Sequence, residues 1–189
     1  MKILRAANHK RMPWKNGGGE TIEIAVFPQS AGLGDFDWRV SMATVAMDGP
    51  FSIFEQIDRT LTILTGAGMA LEIDGQPPVH LEPSSAPLAF AADVPVNATL
   101  VNGPITDLNV MTRRGRYVHR VERVTVEDTL TLPSPALQHM LLIRDHGLSV
   151  ISVGHSIPLE AQDAVLPEGG EAVTLHGHGV VFAITLTAQ

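Results

Sequence analysis

The stretch "FDWRVSMATVA", Phe36–Ala46, alternates with a period of two. Phe36, Trp38, Val40 and Met42 fall on one face, and Asp37, Arg39 and Ser41 on the other. A segment with that pattern is a β-strand covered on at least one side. Working outward, the same alternation recurs in "TIEIAVF" (Thr21–Phe27), which stacks Ile22, Ile24 and Val26. It recurs again in "RTLTILT", "MALEID", "PLAFAA", "ATLVNG" and "DLNVMTRR". Beyond Arg120 it resumes in "RVTVED", "HMLLIRD", "LSVISV", "DAVLP", "EAVTLHG" and "VVFAITLT". Helical periodicity is confined to a single expected turn at "SPALQHM", Ser134–Met140. Asp74-Gly75 and Asn102-Gly103 are dipeptides suited to hairpins. Many short strands cut by Gly, Pro, Asn and Asp predict an all-β protein, a sandwich or barrel. The strands form two runs, roughly ten before Tyr117 and about six after it. No Ser/Gly-rich linker parts them. Two small β-barrels are therefore expected in one body, residues 1–116 and 117–189.

Bulk properties narrow the function. The chain has 189 residues, 44% of them apolar, enough for a substantial core. Thirteen Lys and Arg stand against 20 Asp and Glu, for a net charge of −7. That balance opposes a nucleic-acid partner, which needs a basic face. The basic run "RRGRYVHR", Arg113–Arg120, reads as a solvated turn rather than a phosphate patch. There is no cysteine, so disulfides and thiolate metal sites are excluded. No apolar run has the length to span a bilayer, and "MKILRAANHKRMPW" lacks a secretory pattern, so a cytoplasmic chain without a membrane partner is expected.

Polar residues on core-facing rows carry the functional question. Arg59 shares a face with Leu61 and Ile63. It either reaches a rim or core ion pair, or it holds an anionic ligand. "DLNVM" puts Asp107, Asn109 and Met111 on one face, which suits a pocket wall or a decorated edge strand. Taken alone, Arg39 and Ser41 read as a solvated face. In "MPWKNGGGET" (Met12–Thr21), Gly17, Gly18 and Gly19 can leave backbone N–H groups open to an anion, although a surface hairpin is the default for such a loop. His176 and His178 share a strand face, but the glycines beside them favour surface side chains over a metal pair.

"PWKNGGGETIEI", "DFDWRVSMATVAMDGPFSIFEQIDRTLTILTG" and "GPITDLNVMTRR", in that order, resemble the HutD/Ves family of small bicupin proteins. The resemblance runs from Met1 to Arg116 and continues more loosely beyond. It implies a cupin-type β fold with two barrels, often dimeric, and occurrence with histidine-utilisation genes. Metal-dependent cupins carry His-x-His and a Glu where this chain offers Ser52, Phe54 and Arg59. An Arg at that place would repel a cation, so no metal and no cofactor are expected. The resemblance gathers Asn16, Gly17, Gly18, Gly19, Arg39, Ser41, Arg59 and Asn109 into one binding constellation. Trp14, Phe51 and Met111 would form its apolar wall, and Glu23 and Asp107 would orient the polar groups. The implied function is a non-catalytic protein that binds a small anionic metabolite resembling urocanate or formylglutamate, acting as a homodimer that regulates or buffers flux. A metal-free isomerase, lyase or hydrolase using Glu23 or Asp107 as base is the alternative. An interaction protein whose glycine loop only packs an interface is a third.

Overall fold

The computed structural model describes residues 1–132, 138–152, 154–167 and 172–189. In chain order the strands open with β1 (Lys2–Leu4), β2 (Lys10–Pro13), β3 (Gly19–Phe27), β4 (Trp38–Val45), β5 (Gly49–Pro50) and β6 (Ile57–Thr65). They continue with β7 (Met69–Ile73), β8 (Val79–Leu81), β9 (Leu88–Ala91), β10 (Val96–Leu100), β11 (Ile105–Arg113) and β12 (Tyr117–Leu132). The last are β13 (Gln138–Ile143), β14 (Leu148–Ser152), β15 (His155–Leu159), β16 (Ala164–Leu166) and β17 (Val173–Ala188). Among the described residues the only helical segment is a 3-10 turn, Ala6–Asn8. None is long and apolar enough to cross a membrane. The expected turn at Ser134–Met140 lies partly outside the described residues, and its last three residues begin β13 instead.

The chain divides into two units. The first holds residues 10–118 with Gln189, and the second holds residues 1–9 with 119–188. The first nine residues were expected in the first barrel. They belong with the second unit because β1 forms an antiparallel ladder with β16, Lys2 opposite Leu166 and Leu4 opposite Ala164. Arg5 seals the attachment: its Nη1 donates to the Pro158 carbonyl at 2.9 Å and to Asp163 Oδ2 at 2.7 Å.

In the first unit a six-stranded sheet runs β2-β3-β4-β11-β6-β9, and a four-stranded sheet runs β5-β10-β7-β8. Val45, Leu61, Ile63 and Ile105 from the larger sheet meet Met69, Leu71, Ile73, Val96 and Ala98 from the smaller in one core. In the second unit a seven-stranded sheet runs β1-β16-β13-β17-β14-β15, with β12 also laid on β17. Its core gathers Val126, Leu141, Ile143, Val150, Val165, Leu175 and Val181. The two turn dipeptides behave differently. Asp74-Gly75 opens the β7–β8 hairpin. Asn102-Gly103 links β10 to β11, which belong to different sheets, so it is no hairpin. Both glycines take positive φ, 75° and 70°, so local turn chemistry is the same and the flanking strands decide the topology.

Candidate functional site

Three neighbouring strands of the larger sheet present polar side chains on a buried face. Pairing of β11 with β4 and β6 sets Arg39, Met111 and Arg59 in one row. Ser41, Asn109 and Leu61 form the next row, and Ala43, Asp107 and Ile63 the third. Glu23 on β3 stands opposite Ser41. Arg39 is 4% exposed, Arg59 7%, Asn109 3% and Asp107 1%. Arg39 and Ser41, which alone read as a solvated face, are buried because both faces of β4 are covered.

The bonds within this group form two arms. In one, Arg39 Nε donates to Glu23 Oε2 at 2.8 Å. In the other, Arg59 Nε donates to Asn109 Oδ1 at 2.7 Å, Arg59 Nη2 donates to the same oxygen, and Asn109 Nδ2 donates to Asp107 Oδ1 at 2.6 Å. The Arg59 guanidinium lies over the Phe51 ring, 4.4 Å from its centroid, with the Phe90 ring at 5.7 Å. Among the described residues three buried side-chain polar atoms have no hydrogen-bond partner: Arg39 Nη2, a donor, and Asp107 Oδ2, an acceptor, on this face, and Trp38 Nε1, a donor, on the other face of β4. Burial pushes the Asp107 carboxyl up to about 6, against the pull of Arg59, the Asn109 bond and the Ala43 backbone. Burial likewise lowers Arg59 to about 10, with Asp107 opposing that shift and Arg39 adding to it. Two cations and two carboxylates balance, so a ligand would be recognised through the unpartnered atoms rather than through excess positive charge.

The glycine segment sits elsewhere. Asn16 is exposed, and its Oδ1 accepts from Gly18 N–H at 3.0 Å, closing the turn between β2 and β3. Gly19 stands opposite Val45, four residues along β4 from Ser41, a distance of about 13 Å at strand rise. Asn16, Gly17, Gly18 and Gly19 are therefore not brought to the guanidinium rows. Gly19 is kept for packing, since a Cβ there would lie 2.1 Å from the Thr44 carbonyl and 3.0 Å from the Trp14 ring, whereas Gly17 is kept for its positive φ of 71°. Trp14 packs against the core, and its indole N–H donates to Thr21 Oγ1 at 2.8 Å. Phe90, which the sequence reading does not single out, stands directly opposite Arg59 on β9. Only the cross-strand register reveals it. His176 meets Thr129 Oγ1 at 3.0 Å, and His178 meets Asp128 at 3.4 Å. Among the described residues no three His, Cys, Asp or Glu side chains gather as metal ligands. A hollow of about 360 Å3 at the β7–β8 turn is lined by Glu72, Asp74, Gln76 and Asn97, and its carboxylates disfavour an acid.

Two β units built of antiparallel strands, one with a polar cluster on a buried sheet face, define a cupin-type protein. A cupin 2 barrel protein from Leptotrichia buccalis shares the fold at a TM-score of 0.61 and 7% identity, over 98% of this chain and all of the other. The chain belongs to the HutD family, whose model matches residues 6–183. It is 36% identical over 172 residues to an uncharacterised 21.2 kDa protein of the hutC 3' region of Pseudomonas putida, covering 90% of this chain and 88% of that one. It is 41% identical over 111 residues to Protein Ves of Cronobacter sakazakii, covering 57% of this chain and 59% of Ves. HutD from Pseudomonas fluorescens SBW25, solved in a formate condition, superposes at a TM-score of 0.83 with 32% identity, over all of this chain and 98% of the other. Membership links the chain to histidine utilisation.

Proposed function

We propose that the first unit binds a small carboxylic acid that also carries an N–H group, of the urocanate or formylglutamate kind, without metal and without turnover. In this reading, occupancy regulates or buffers histidine-utilisation flux. The observation that carries it is the unpartnered pair, Arg39 Nη2 and Asp107 Oδ2, on one buried sheet face. A carboxylate oxygen accepts from the first, and an imidazole or amide N–H donates to the second. Arg59 has two N–H groups on Asn109 and lies against Phe51, so it sets the geometry while Arg39 takes the acid.

Thermal melting with urocanate, formylglutamate and glutarate tests this. A ligand at a hundred times its Kd stabilises by about 2.7 kcal/mol. The two N–H-bearing acids should raise Tm, glutarate should do so far less, and Arg39→Met should remove the difference. Equal shifts for all three acids, or none, sink the reading.

A second reading, a metal-free isomerase or hydrolase, draws on Asp107. A carboxyl held near pH 6 with one open oxygen is suited to general-base work. Product formed at stoichiometric protein, and lost in Asp107→Asn, would select it over pure binding.

A further inference from the structure

The dipeptide Asn-Gly occurs twice, as Asn16-Gly17 and Asn102-Gly103. It has a reaction of its own: the glycine backbone nitrogen attacks the asparagine side-chain carbonyl carbon, and no Cβ on the glycine crowds the approach. The two glycines are alike in conformation and space. Their φ values are 71° and 70°, and neither has an atom within 4 Å of where a Cβ would lie. Hydrogen bonding separates the pairs. Asn16 Oδ1 accepts from Gly18 N–H at 3.0 Å, and Gly17 N–H donates to the Trp14 carbonyl at 3.1 Å. Both bonds must break before the Gly17 nitrogen reaches Asn16 Cγ. Asn102 and Gly103 are exposed, and among the described residues neither the Asn102 amide nor the Gly103 N–H has a partner. The ends of this link are held, with Val101 N–H on the Gly68 carbonyl at 3.0 Å and Ile105 opposite Val45, while the residues between them face water.

We propose that Asn102 is a site of spontaneous modification in the folded protein, deamidating through a cyclic imide, and that the β2–β3 turn protects Asn16 from the same fate. The Gly103 nitrogen gives up its proton and bonds to Asn102 Cγ. The Cγ–Nδ2 bond breaks, and Nδ2 leaves as ammonia with that proton. Water, the only co-reactant, then opens the five-membered imide. Cleavage between Cγ and the Gly103 nitrogen gives aspartate on the original backbone. Cleavage at the other carbonyl gives isoaspartate, whose main chain runs through Cβ and Cγ. Either product adds one negative charge to a net of −7. Isoaspartate also lengthens by one methylene the link between β10 of the smaller sheet and β11, the strand that carries Asp107 and Asn109. At Asn16, two bonds of ordinary net strength suppress the reactive arrangement about thirtyfold.

The full chain, kept folded in mildly alkaline buffer, tests this by peptide mapping with mass spectrometry. Samples drawn over time should show the amide-to-acid mass gain at Asn102 about thirtyfold faster than at Asn16. Isoaspartate, read by enzymatic methyl transfer from S-adenosylmethionine, should accumulate in step. Asn102→Asp should remove most of that signal, because it takes away the faster site. Gly103→Ala should slow the reaction at Asn102, since its Cβ crowds the attacking nitrogen. In denaturant the bonds at Asn16 are gone, so the two rates should converge. Equal rates in the folded chain, or a faster Asn16, overturn the proposal. So does an Asn102 that stays intact when folded yet deamidates in denaturant, or a gap between the two sites that survives unfolding.

Discussion

Asn109 accepts two N–H bonds from Arg59 and donates one to Asp107, so two buried charged groups are joined through one amide. Its oxygen and nitrogen cannot be interchanged, because the guanidinium only donates and the carboxylate only accepts. Replacing it by an apolar residue of similar size, Asn109→Leu, leaves Arg59 Nε, Arg59 Nη2 and Asp107 Oδ1 without partners. A buried polar group left unmade costs about 1–3 kcal/mol, and breaking a buried charged arrangement about 3–5 kcal/mol. The expected loss is about 3–5 kcal/mol, read as a lower urea midpoint with an unchanged slope. A loss below about 1 kcal/mol would mean that the amide is not the link described.

At the scale of the element, the β2–β3 turn explains its own glycines. Gly17 has a φ of 71° and open space where a Cβ would go, whereas Gly19 is blocked by the Thr44 carbonyl and the Trp14 ring. Gly17→Ala should cost about 1–2 kcal/mol, the left-handed penalty alone. Gly19→Ala must part β3 from β4 or displace Trp14, and should cost about 1–3 kcal/mol of overpacking plus the lost ladder bonds. Thermal denaturation of the two variants checks that order, and an equal or reversed ranking refutes the packing account. The alternation in β4, β6 and β11 was legible from sequence because side-chain direction in a strand has a fixed period, and Asp107, Asn109 and Met111 do share one face. Whether a polar row meets water or the interior was not legible. One strand says nothing of what covers it, and Arg39 and Ser41 are buried only because neighbouring strands and a second sheet surround them. Asn16 is gathered into the constellation by the resemblance alone; its bond from Gly18 N–H, two residues away, closes an ordinary turn and leaves no mark on the strand pattern. The attachment of β1 to β16 had no local signal, since the two strands are separated by most of the chain.

For the whole molecule, the two buried carboxylates respond to acid in opposite directions. Asp107 is raised by burial from 3.8 to about 6. Between those values the folded chain holds a proton that the unfolded chain lacks, so stability rises as pH falls from about 6 toward 3.8 and is level outside that window. Asp163 behaves the other way. Burial alone would raise it, but the N–H groups of Ala6 and Glu160 and the Arg5 guanidinium outweigh that and hold it below 3.8. Its contribution is present above 3.8 and is lost as pH falls through the folded value. Asp93, held near 2 by Arg114, adds to the acid loss. The profile of Tm against pH should therefore climb on mild acidification and then drop. Net charge relaxing from −7 adds a smooth slope shared by all variants, so differences between chains carry the test. Asp107→Asn should lose the rise between pH 6 and 4 while keeping the drop. Asp163→Asn should start from a lower Tm and drop less steeply below pH 4. Superimposable profiles for Asp107→Asn and the unmodified chain would show that Asp107 ionises as freely in the folded protein as in the unfolded one, and the buried network would then have to be redrawn.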